Sequence, residues 1–189
     1  MSESNILVVV DYQNDFVTGS LGFPAAKAIE NALSDKIKSH WDNGGTVIFT
    51  YDTHGENYLN TVEGNNLPIE HCIRGTDGWS LHGKVQEMHD FGVVNHKQYF
   101  DIFKNTFGSL MLTEVINKIK AECGCEEKDI NIEFCGVVSN ICVISNAIIA
   151  KSTVPEANIS VNSKLCKSND PEMEQKAFDI LRNLHIKVI

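Results

Sequence analysis

The chain has 189 residues, 42% of them hydrophobic, and its 25 acidic against 16 basic residues give a formal charge of −9. That length suits one sizeable core, read here as a single domain over residues 1–189. The acidic balance disfavours nucleic acid and anionic membranes as partners and leaves small molecules. No stretch approaches the roughly 20 apolar residues of a membrane span. The opening MSESNILVVVD does not read as a signal peptide, so the expected location is the cytoplasm. Accordingly Cys72, Cys123, Cys125, Cys135, Cys142 and Cys166 are expected as reduced thiols, with the CGC pair at 123–125 in a surface turn.

Ile6 to Val10 is a continuous apolar run, the mark of a strand buried on both faces of a parallel sheet, and it ends in Asp11. Ligands of open α/β sheets bind beyond the carboxyl ends of strands, so Asp11 stands either at a site or simply at the start of a turn. Phe16, in the loop that follows, stacks on a planar substrate or pins the loop. Ala25 to Trp41 has helical spacing, ended by Gly44-Gly45. Thr46 to Tyr51 is a second buried strand and again leads into an aspartate, Asp52. Asp52 and His54 share a side of an extended segment, and Glu63 and His71 follow in the same loop. Two imidazoles and one or two carboxylates suit Zn²⁺, Fe²⁺ or Mn²⁺, although each taken singly also reads as a solvated loop residue.

Leu81 to His89 reads as a short helix and Gly92 to Asn95 as a third strand, with Lys97 just past its end. Lys104, in DIFKNTF, is placed on the solvent side. Gly108 to Cys123 is an amphipathic helix. Ile130 to Phe134 is a buried strand, followed by a glycine turn and a helix capped by Ser139, which puts Cys142 in the first helical turn. There the free N–H groups and the helix dipole favour a thiolate, although a free cysteine is also commonly a small buried hydrophobe. Ile159 to Val161 and Ile186 to Ile189 are weaker strands flanking a helix over Pro171 to Leu184. The alternation predicts a three-layer α/β/α domain with a largely parallel, roughly six-stranded open sheet.

Four segments in order, VVVDYQNDF, YDTH with LPIEHCIRGTDG, HKQYFDIF and CGVVSNICVISNAIIA, resemble the isochorismatase-like cysteine hydrolases, and within them the nicotinamidases most. The resemblance implies a catalytic trio of Asp11, Lys97 and Cys142. It implies one divalent metal ion, zinc first and iron or manganese next, on Asp52, His54 and His71 with Glu63. It further implies a cis Val137–Val138 peptide, an oxyanion hole from the N–H groups of Val138 and Cys142, and substrate contacts from Phe16 and from position 67. Relatives commonly carry tryptophan at that last place, where this chain has Leu67. The implied reaction is hydrolysis of nicotinamide to nicotinate and ammonia through a Cys142 thioester, a step of NAD salvage, in a homo-oligomer. The rival readings are a carbamoyl or ureido amidase, which needs no metal, and a non-catalytic binding or assembly subunit.

Overall fold

The computed structural model describes residues 3–189. Its strands are β1 (Ser4–Val10), β2 (Thr46–Asp52), β3 (Tyr99–Lys104), β4 (Ile130–Val137), β5 (Asn158–Lys167) and β6 (Lys187–Val188). Its α-helices are α1 (Asn14–Val17), α2 (Pro24–Ala28), α3 (Glu30–Asp42), α4 (Val62–Asn66), α5 (Gly83–Val94), α6 (Met111–Cys123), α7 (Ile144–Thr153) and α8 (Pro171–Asn183). The six strands form one sheet in the order β3-β2-β1-β4-β5-β6, and every pairing is parallel. From Ile6 onward every residue of β1 is buried, as are Val47 to Asp52 of β2, so the central strands are covered on both faces. Helices α3 and α5 pack together, as do α6, α7 and α8, forming the two outer layers.

The direction of winding reverses at β1. Chain order runs outward through β2 and β3 on one side, and through β4, β5 and β6 on the other. This switch point opens a crevice past the carboxyl ends of β1 and β4, where open α/β sheets bind ligands. Gly136 makes the approach of those strands possible: it pairs with Val10, has φ of 116°, and a Cβ there would collide with the Val10 carbonyl.

Four expectations are corrected. The third strand is not Gly92 to Asn95; Gly92 to Val94 close α5, and the strand is the YFDIFK segment of β3. A short apolar run does not by itself distinguish the two states, and Val93 and Val94 prove 44% and 76% exposed, which no strand buried on both faces would allow. The helix over Ala25 to Trp41 breaks at Ile29 into α2 and α3. Ser139 is not an N-cap: a wide π-type turn, Ser139–Val143, precedes α7, and the Ser139 hydroxyl donates to Glu174 instead. Finally, Cys123 and Cys125 are disulfide-bonded, because Gly124 takes the left-handed conformation (φ 62°) and folds their Cα atoms to 5.3 Å. Cys72, Cys135, Cys142 and Cys166 are free and buried. Among the described residues no helix is long and apolar enough to cross a membrane.

Candidate active site and metal centre

Asp11 follows β1 with φ of 45°, a left-handed conformation uncommon outside glycine. Its N–H donates to the Thr50 carbonyl of β2 at 3.1 Å, and its side chain is fully buried. Oδ1 accepts from the Thr50 hydroxyl at 2.6 Å. Oδ2 lies 2.6 Å from the ammonium of Lys104, the last residue of β3, which is itself 5% exposed. That ammonium also stands 3.7 Å from Cys142 Sγ and 3.5 Å from Asp52 Oδ1.

The lysine between Asp11 and Cys142 is therefore Lys104, and the expectations for both Lys97 and Lys104 are overturned. The cause is the misplaced third strand. Once β3 is YFDIFK, alternation puts Lys104 on the same face as buried Ile102, with exposed Phe103 opposite. Lys97 instead sits between α5 and β3, where its charge acts on Asp42 at the end of α3.

Burial pushes the Asp11 carboxyl up, although the Lys104 charge opposes it. Burial likewise raises the Cys142 thiol well above the usual cysteine range; Lys104 pulls it down, and Asp11 and Asp52 push it further up. For Lys104 burial alone would favour loss of the proton, but Asp11, Cys142 and Asp52 outweigh it and hold the amine charged. The resting arrangement is thus one ammonium among two carboxyl groups and a protonated thiol. Asn146 steadies this end of the fold by donating to the carbonyls of Cys142 at 2.8 Å and Phe107 at 3.1 Å. The Val137–Val138 peptide is cis.

Beside the trio stand Asp52, His54, Glu63 and His71, whose ligand atoms all lie within 4.8 Å of one another. Asp52 Oδ2 is 3.0 Å from His54 Nε2 and 3.3 Å from His71 Nε2, and Glu63 Oε1 is 3.7 Å from both rings. Burial works against the Asp52 charge, yet hydrogen bonds from His54 and His71 and the Lys104 charge hold it well below the carboxylate range. His71 Nδ1 bonds the Ile69 carbonyl at 2.8 Å, which in a neutral ring leaves an Nε2 lone pair facing two carboxylates. Lone pairs converging in this way are satisfied by an added proton or by a cation. Two imidazoles with two carboxylates, one ring oriented by a backbone carbonyl, fit a divalent ion such as Zn²⁺. Tyr58 packs on both imidazoles, its ring 4.6 Å from His54 and 4.9 Å from His71.

A cavity of about 410 Å³ joins the two clusters. Cys142 and Val138 border it on one side, and Asp52, Glu63 and His71 on another, with Phe16 and Leu67 among its apolar walls. Phe16 packs edge-on to His71 at 5.5 Å. The family model described as the isochorismatase domain matches residues 5–189. The chain belongs to the isochorismatase family.

Solved structures with the same fold include three close in shape to this isochorismatase-family hydrolase. The pyrazinamidase/nicotinamidase of Streptococcus mutans is 28% identical, with a TM-score of 0.83, over 98% of this chain and 100% of that one. The nicotinamidase of Bacillus subtilis is 23% identical at a TM-score of 0.83, with 98% of each chain covered. The pyrazinamidase of Pyrococcus horikoshii in complex with zinc is 23% identical at a TM-score of 0.78, again with 98% of each covered. No curated protein sequence matches significantly.

Several supporting residues are not recognisable from residue type alone. Gln13 clamps Asp52 with both ends of its amide, donating to the carbonyl at 2.9 Å and accepting from the N–H at 2.8 Å. Asp15 accepts from the Cys72 N–H at 2.7 Å and so anchors the chain next to His71. Both lie in the DYQNDF segment, whose density of polar side chains directly after a buried strand was the available signal. Thr50, inside β2, gave none.

Proposed function

We propose that the chain is a metal-dependent cysteine amidohydrolase acting on a small carboxamide, with nicotinamide as the first choice of substrate. The observation that carries this reading is the Lys104 ammonium, 2.6 Å from Asp11 and 3.7 Å from Cys142, at one cavity with the four-ligand cluster. The names borne by the Streptococcus, Bacillus and Pyrococcus structures support the amide class, and the zinc in the last supports a metal.

In this mechanism Asp11 accepts the Cys142 proton as sulfur attacks the carbonyl carbon of the amide. Lys104 stabilises the developing thiolate, which burial otherwise opposes. The carbonyl oxygen becomes an oxyanion held by the N–H groups of Val138 and Cys142, each donor contributing about 3–4 kcal/mol. Asp11 returns the proton to nitrogen, ammonia leaves, and the acyl group stays on sulfur as a thioester. Asp11 then deprotonates the water that releases the acid. A divalent ion held by Asp52, His54, Glu63 and His71 would supply Lewis acidity toward a nitrogen or oxygen of the substrate. Phe16 and Leu67 shape the apolar slot for the ring. The carbamoyl amidase reading is less favoured, because it leaves the four-ligand cluster without a use. The setting that follows is cytoplasmic NAD salvage.

The test is ammonia release from nicotinamide, pyrazinamide and carbamoyl amides by wild type and Cys142→Ala. Turnover of a pyridine or pyrazine carboxamide that disappears in the variant is expected. Activity that survives in Cys142→Ala would overturn the mechanism.

A further inference from the structure

Beyond Leu67 lies a second cavity, of about 720 Å³, which shares Glu63, Leu67, Phe107 and Ile141 with the cavity at Cys142. We propose that this space is a distal subsite, taking an uncharged, hydrogen-bonding extension of the amide whose carboxamide end meets Cys142. The inference rests on the hydrolase reading above and names the class of substrate that reading leaves open.

Three observations carry it. The first is size: pockets for drug-sized ligands measure about 300–1,000 Å³, so the 410 Å³ cavity at Cys142 already accommodates more than a bare single-ring amide. The second is the shared wall. The backbone of residue 67 is held on both sides, its N–H donating to Glu63 O at 2.8 Å and its carbonyl accepting from the Tyr58 hydroxyl at 2.9 Å. The place is therefore fixed, and because Leu67 lines both spaces, a bulkier side chain there would narrow the way between them. Phe107 and Ile141, 44% and 38% exposed, provide an apolar lip across it.

The third observation is the chemistry of the distal walls. Asn57, Asn105 and Thr106, all exposed, line that cavity, and their side chains make no hydrogen bond among the described residues, which leaves them open to water or to a ligand. The only ionisable groups among its described walls, apart from Tyr58, are His54 and Glu63 of the metal cluster, so no lysine or arginine is present to hold an anion. Amide and hydroxyl groups beside an apolar lip suit a neutral substituent bearing hydroxyl or amide groups, and disfavour a phosphate or carboxylate.

The experiment compares nicotinamide with three nicotinamides carrying a 2-hydroxyethyl chain at ring carbon 4, 5 or 6, on zinc-loaded protein. Affinity for the Cys142→Ala protein is measured by calorimetry and kcat/KM on the wild type. At least one extended isomer is expected to bind about tenfold more tightly than nicotinamide, and Leu67→Trp is expected to cut its kcat/KM relative to nicotinamide about tenfold. Asn105→Leu should lower the same ratio. If no extended isomer binds Cys142→Ala more tightly than nicotinamide, or if Leu67→Trp leaves the ratio unmoved, the subsite is overturned. If an extended isomer binds preferentially while the wild type hydrolyses none of the four amides, the hydrolase reading falls and the subsite stands.

Discussion

Lys104 places one positive charge among two carboxyl groups and a thiol, where almost no water reaches to screen it. Breaking a buried pair by removing one partner leaves the other charge uncompensated and costs about 3–5 kcal/mol, far more than losing an exposed pair. Lys104→Met is therefore expected to lower stability by about that amount and to move the alkylation of Cys142 by iodoacetamide to higher pH, since the one group that pulls the thiol down is gone. Lys97→Met should stay within about 0.5 kcal/mol of wild type and leave the alkylation profile alone. Urea unfolding and pH-dependent alkylation of both variants read this directly. Equal effects at the two positions would remove Lys104 from the role given to it here.

At the scale of elements, β3 is held against α5 by His89, whose Nε2 lies 3.1 Å from Asp101 Oδ1 and whose ring packs edge-on to Phe49 and Tyr99, each at 5.2 Å. Burial works to lower the His89 pKa, but the hydrogen bond and charge of Asp101 outweigh it and leave it raised. A raised imidazole binds its proton more tightly folded than unfolded, so its contribution is complete below the unfolded value and fades as pH rises through the folded one. The gap in Tm between wild type and His89→Gln should accordingly be wider near about pH 5.5 than near about pH 8.5, on either side of the ordinary imidazole value of about 6.5. A gap that is constant or widens with pH would show that the Asp101 pair does not act this way. The same strand explains which parts of the site were legible. Strands β1 and β2 are central and spell largely apolar runs that lead straight to Asp11 and Asp52, whereas β4, also central, carries Asn131 and Glu133 among its apolar residues and leads to Cys142 past Gly136. As an edge strand β3 is only half covered and contains Asp101, so it looks less like a strand than the GVV ending α5, and a third strand read from GVV points to Lys97 instead of Lys104. The metal-ligating residue types were readable in their loop, whereas their convergence depends on Gln13 and Tyr58, contacts that no spacing encodes.

Across the whole molecule, the four-ligand cluster ties the end of β2 to a long irregular segment that holds few strand or helix hydrogen bonds of its own. An ion that binds only the folded chain stabilises it by mass action, about 2.7 kcal/mol at a hundredfold excess over Kd. Exhaustive chelation is expected to lower Tm, zinc to restore it, and His71→Ala to blunt both shifts, while Cys142 remains open to alkylation. Thermal melts with and without chelator decide this, and identical curves would remove the ion from the cluster. Domains tend to acquire structure from the N-terminus as the chain emerges, and here β1, β2 and β3 form a contiguous half-sheet before residue 105, with β4, β5 and β6 adding one after another to its free edge. Asp11, Lys104 and the whole ligand cluster are therefore made before Cys142 exists, and its thiol is the last part to reach a charge pair that the earlier strands can already have assembled.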